Sequence, residues 1–148
     1  MRKIEYIFID SDRPSDNSQS PCYDVPGFRH HFIVTREGAV VNTTDIQYPV
    51  SLITGPNYDR DKYNNCSICI RYCGSLQPNA WLIDRDSCCS AVLGQRAALL
   101  QLLVKLRQHF PDAKILGLSE LDGRELYCKN VIVSDAMNLL RNELSELP

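Results

Sequence analysis

The stretch Ala91-Val-Leu-Gly-Gln-Arg-Ala-Ala-Leu-Leu-Gln-Leu-Leu-Val-Lys-Leu-Arg-Gln-His-Phe110, followed by Pro111-Asp-Ala-Lys-Ile-Leu116, decides the fold class. Val92, Leu93, Leu99, Leu100, Leu103, Val104 and Leu106 recur at intervals of three to four, which is the period of an α-helix with one apolar face. Lys105, Arg107 and His109 gather near its end, where cations meet the negative end of the helix dipole. Pro111 stops the helix, and Ala113 to Leu116 reads as a strand. A long helix running directly into a strand belongs to a chain that mixes the two.

Outward from there, the pattern is consistent. Ile4-Glu-Tyr-Ile-Phe-Ile9 is β-branched and aromatic and reads as a buried strand. His31 to Thr35 and Ala39 to Thr43 flank Arg36-Glu-Gly38 as a hairpin with a glycine-bearing turn. Ser67 to Tyr72 is a further strand. Ser134 to Leu144 is a second helix, with Ser134 as its N-cap and Ala136, Leu139, Leu140 and Leu144 on one side. Ser11 to Gly27, Pro49 to Asn65 and Leu76 to Ser90 are read as irregular, with Trp81 and Ile83 pinning the last to the body. The expected architecture is an α/β fold, a mixed β-sheet flanked by helices, formed by residues 1–148 as one domain.

Composition narrows the function classes. The chain has 148 residues, 44% of them hydrophobic and 23% charged, so a full-sized core is expected. A net charge of −2 and a pI near 5.9 give none of the basic excess of a nucleic-acid binder. No segment approaches the ~20 apolar residues of a membrane span. The first ten residues contain no apolar run of signal-peptide length, so a cytoplasmic location is expected.

Seven cysteines are present, an odd number: Cys22, Cys66, Cys69, Cys73, Cys88, Cys89 and Cys128. A complete disulfide framework is therefore not expected. Cys66, Cys69 and Cys73 have spacings at which thiolates hold zinc or an iron–sulfur cluster. Their local pattern is that of a strand, which turns Cys66 and Cys69 to opposite faces. They are read as core thiols, with a thiol-metal or redox role as the alternative.

Several segments together resemble the N-acetylmuramoyl-L-alanine amidase family, which includes phage lysozyme-type amidases and peptidoglycan recognition proteins. They are Glu5-Tyr-Ile-Phe-Ile-Asp10, Pro26-Gly-Phe-Arg-His-His-Phe-Ile-Val-Thr-Arg-Glu-Gly38, Tyr63-Asn-Asn-Cys-Ser-Ile-Cys69, and Gln95 to Leu100 continuing through Phe110 to Gly117. They follow the family's order along nearly the whole chain. The resemblance implies a mixed sheet flanked by helices, with a groove over one face. It also implies a zinc ion on two histidines and a third Cys or Asp ligand, where a metal-bound water cleaves the bond between muramic acid and L-alanine.

Position by position, the implied site is degenerate. The first histidine ligand falls on Asp10. The second falls on Leu118, in Gly117-Leu-Ser-Glu-Leu121, and the third matches Cys128. The assisting tyrosine falls on His30, a further polar position on Asp59, and the lysine ahead of the third ligand on Leu126. The stretch between Asp10 and Gly27 is short where the family carries a groove-walling helix. Leucine has no lone pair for a metal, and two ligands make a poor zinc site. The expectation is a protein without catalytic residues, metal or cofactor, retaining the capacity to bind a peptidoglycan fragment or another protein. The alternative is an active zinc amidase with a rearranged metal site.

The same residues have plainer readings. Asp10 caps a turn with Ser11 and Asp12. His30 and His31, being adjacent, point to opposite sides, one packed and one solvated. Asp59-Arg-Asp-Lys62 is a solvated loop of mixed charge, and His109 is a solvated partner of the helix dipole.

Overall fold

The computed structural model describes residues 2–12, 29–53, 60–76, 89–121 and 131–147. Among them are five strands and three α-helices: β1 (Tyr6–Asp12), β2 (Phe32–Val34), β3 (Val40–Asn42), α1 (Arg60–Asn65), β4 (Ser67–Ser75), α2 (Cys89–His109), β5 (Lys114–Gly117) and α3 (Val131–Ser145). A short 3₁₀ turn, Leu118–Glu120, follows β5 directly. The strands form one sheet in the order β3-β2-β4-β1-β5. β1 pairs in parallel with both β4 and β5, β2 pairs in parallel with β4, and only β2–β3 is antiparallel. The expected α/β fold, a mixed sheet with helices, is what the chain adopts.

β1 and β4 lie inside the sheet, so their residues are buried on both faces. This is why Ile7, Phe8 and Ile9 are all apolar, and why Ile68, Cys69 and Ile70 follow the same rule. Alternation then divides the side chains. Ile7, Ile9, Ile68, Ile70, Tyr72 and Val34 meet Leu99, Leu102, Leu103 and Leu106 of α2 and Ala136, Met137, Leu140 and Leu144 of α3. Both long helices therefore cover one face. Phe8 and Cys69 turn to the other, where Val50, Leu52, Ile53 and Leu121 close over them.

Polar contacts fix the helices on the sheet. Gln95 on α2 donates from Nε2 to the carbonyls of Val34 and Cys73, joining the ends of β2 and β4. Arg96 forks onto Glu143 at 3.2 and 2.7 Å and ties α2 to α3. Arg107 donates to the carbonyls of Leu144 and Leu147, satisfying the end of α3.

The hairpin turn bears Gly38 at φ +88°, and its tip lies on α2: a Cβ there would stand 3.2 Å from the carbonyl carbon and oxygen of Gly94. Both the left-handed backbone and the close approach require glycine. Gly38→Ala is expected to cost about 1–3 kcal/mol in urea denaturation. A cost near zero would mean that the tip stands off the helix.

Four local expectations are corrected. Residues 60–65, expected as loop, form α1. The helix lacks an apolar period of its own, and its support is tertiary: Arg2 donates to the carbonyls of Asn64 and Asn65, and Asn64 bonds both backbone groups of Ile53. The second long helix starts at Val131, so Ser134 lies within it and is not its N-cap. Ser11 and Asp12 extend β1 and do not turn with Asp10, because β4 continues alongside them to Ser75. Cys66 sits in the turn ahead of β4, where its thiol donates to the carbonyl of Lys62. Trp81, Ile83 and residues 13–27 lie outside the described residues.

Candidate functional site

The carboxyl ends of parallel strands are where open α/β sheets place their ligands. At that edge, on the face opposite the long helices, the structure gathers Asp10, His30, Arg71 and Leu118. Asp10 follows Phe8 by two residues and so shares its face, and it pairs across β1–β4 with Arg71. Ile33 of β2 pairs with Arg71 from the other side.

His30 stands just ahead of β2, and its ring reaches Asp10 although β4 lies between β2 and β1. Its Nε2–H donates to Asp10 Oδ2 at 2.9 Å. Arg71 Nη1 lies 3.6 Å from Asp10 Oδ1 and donates to the Asp10 carbonyl at 3.4 Å. The His30 ring is 2% exposed while Asp10 is 25% exposed, so the carboxylate is the solvent-facing member. Nε2 must carry the proton to face a carboxylate. His30 Nδ1 is buried and has no hydrogen-bond partner among the described residues.

Leu118 begins the 3₁₀ turn. β1 and β5 pair at Ile9 and Gly117, so Asp10 on β1 and Leu118 at the start of the turn after β5 each follow that pair by one residue. Leu118 packs against the apolar group around Phe8 and Leu121. The turn is held by Glu120, which accepts the Gly117 N–H at 2.9 Å and two bonds from Arg141 at 2.8 and 3.0 Å. Arg141 also donates to the Ile115 carbonyl, so α3 fastens both β5 and the turn that presents Leu118.

The sequence-derived positions can now be placed. Asp10 and Leu118 each follow the Ile9–Gly117 pair by one residue, and His30 reaches Asp10. Cys128, Asp59 and Leu126 lie outside the described residues. Neither histidine is solvated: His30 and His31 are both buried, the first held by Asp10 and the second by the backbone of β4. Arg71 was missed. Its signal was a lone cation in Ile68-Cys-Ile-Arg-Tyr-Cys73, two residues from Cys69 and so on the Phe8 side.

His31 is locked in one tautomer. Its Nδ1 accepts the Cys69 N–H at 3.0 Å, so Nε2 carries the hydrogen and donates to the Tyr48 carbonyl at 2.7 Å. Arg2 Nη2 lies 3.0 Å from that protonated nitrogen and directs its own hydrogen to the Ser67 carbonyl at 2.7 Å. Burial, with the nearby Arg2 charge adding to it, pushes the His31 pKa down to about 4, against the pull of the Tyr48 carbonyl. Arg2 further donates to the carbonyls of Ile46, Asn64 and Asn65.

Among the described residues, the free cysteines Cys66 and Cys69 offer no thiolate. Burial pushes Cys66 up to about 11 and Cys69 up to about 12, so both remain thiols at neutral pH. Cys73 is not the free core thiol expected of it but is disulfide-bonded. The three therefore do not form one metal site.

The family's zinc does not fit the described residues. Asp10 is engaged by a histidine and an arginine, Leu118 offers only hydrocarbon, and no group of three His, Cys, Asp or Glu converges among the described residues. No helix among them is long and apolar enough to cross a membrane. No family model matches the sequence, and no curated protein matches it.

Proposed function

We propose that this chain is a non-hydrolytic relative of the N-acetylmuramoyl-L-alanine amidases, a module that binds a peptidoglycan fragment on the sheet face carrying Asp10. One observation carries the reading. At the neighbouring ends of β1 and β5, where the resemblance places two zinc-binding histidines, stand a carboxylate held by His30 and Arg71 and a leucine built into an apolar group. Their adjacency supports the residue matching, and their chemistry argues against the reaction.

A catalytic zinc site needs three protein ligands and a water. Without the metal, nothing in this set lowers a water's pKa to neutrality while polarising an amide carbonyl. A lone acid–base group contributes about 10²–10⁴-fold, against the ~10⁶-fold or more of an enzyme. The exposed edge of Asp10 remains as a polar contact for a ligand.

The test is metal analysis of protein purified without chelator, a muropeptide cleavage assay with added zinc, and co-sedimentation with purified peptidoglycan. The expected result is no stoichiometric zinc, no cleavage, and retention on the peptidoglycan pellet. One zinc per chain, with turnover abolished by Cys128→Ser, would establish the rearranged active site instead. Failure to sediment would leave a protein partner as the ligand.

A further inference from the structure

We propose that His31 is an acid-operated latch: while neutral it binds β4 beside Arg2, and its protonation opens the seam between residues 30–31 and β4 and releases Arg2. The inference does not depend on the amidase reading. It rests on the geometry around one ring. Residue 31 takes both backbone groups of Cys69, its N–H donating to the Cys69 carbonyl at 2.8 Å and its ring Nδ1 accepting the Cys69 N–H at 3.0 Å. The imidazole thus continues the sheet ladder in place of a backbone carbonyl.

A second proton has no place there. Nδ1–H and Cys69 N–H would be two donors face to face, and the buried amide would lose its acceptor while the seam stays shut. The new charge would also lie 3.0 Å from the Arg2 guanidinium. The ring is fully buried and Arg2 half-buried, so water screens the pair only in part.

The groups facing the ring come from four directions: Arg2 from the N-terminal segment, Asp45 from the loop after β3, His30 alongside, and Cys69 from β4. Arg2 and His30 oppose a positive ring and Asp45 favours one, while Cys69 stays a neutral thiol. Burial outweighs Asp45.

The consequences are local and reach the candidate site. Arg2 is the link among the carbonyls of Ile46, Asn64, Asn65 and Ser67, so its departure loosens the end of α1 and the loop before Tyr48. His30 adjoins His31 in the chain, so opening the seam draws its ring from Asp10.

The direction of the pH effect follows from linkage. The ring holds its second proton only below about 4 when shut, and below the ordinary 6.5 when open. The open state therefore takes up a proton between those values. Opening rises as pH falls through 6.5 and levels off near 4.

Amide hydrogen exchange by NMR, corrected for intrinsic rates, tests this on the intact chain. Between pH 8 and pH 4.5 the Cys69 amide is expected to lose roughly 80-fold in protection. The Leu103 amide in α2 is expected to keep its own. Equal losses at both positions would mean global unfolding and would overturn the latch. His31→Asn keeps an acceptor and removes the titration, so its Cys69 protection is expected to be flat across that range; a pH dependence matching wild type overturns the proposal. Should that variant fail to fold, the wild-type His31 ring signals decide the matter. Titration near 4 together with Cys69 release supports the latch, and titration near 6.5 with Cys69 protection unchanged overturns it.

Discussion

Replacing Phe8 with alanine is expected to destabilise the protein by about 3–5 kcal/mol. Phe8 is completely buried at the centre of the sheet, stacked on Tyr6 at 5.4 Å and set edge-on to Tyr63 at 6.1 Å. Val50, Leu52, Ile53 and Leu121 close the same space. Those four lie in connecting segments, so their packing depends on the ring they cover. Deleting it removes both its transfer energy and its contacts, and the flanking strands β4 and β5 hold the backbone against collapse into the cavity. Urea denaturation is the measurement, with a lower midpoint at similar slope. Thermal unfolding is expected to move down by roughly 10 °C. A loss below about 1 kcal/mol would mean that this face is open rather than closed by residues 50–53.

The double substitution Asp10→His, Leu118→His is expected to convert a chain without stoichiometric zinc into one holding a single zinc. Adjacent strands are ~4.8 Å apart, and the two positions follow directly on the Ile9–Gly117 pair. Two imidazoles rooted there reach a common point at the ~2.0–2.1 Å that zinc requires. The change also removes the carboxylate that engages His30. Cys128 is the third ligand that the resemblance supplies. The measurement is zinc content by mass spectrometry, with Cys128→Ser on the same background expected to weaken retention. A folded double variant that takes up no zinc would count against descent from a zinc amidase.

The elements legible in the sequence were those whose period is local. The α2 pattern, the hairpin around Gly38, and the strands of β1, β4 and β5 follow from spacing, β-branching and a stopping proline. The α/β class followed from their order. α1 was not legible because five polar residues and a single tyrosine carry no period, and the helix stands on Arg2 and Asn64 contacts with residues elsewhere in the chain. α3 begins at Val131, three residues ahead of Ser134, the position the sequence suggested as its N-cap.

For the site, residue identity alone determined that Leu118 offers no metal ligand and that Asp10 stands at the end of an apolar strand. Only the tertiary structure decided what Asp10 does. His30 lies 20 positions away and Arg71 lies 61 away, and no local rule joins them. Parallel pairing brings strand ends together irrespective of chain distance. The same holds for His31: its type was plain, but its buried, singly protonated state comes from Cys69, Tyr48 and Arg2, which meet only when the sheet is assembled. A side chain's type is written in the sequence, whereas its charge state and partners depend on what folding removes from water and places within 3 Å of it.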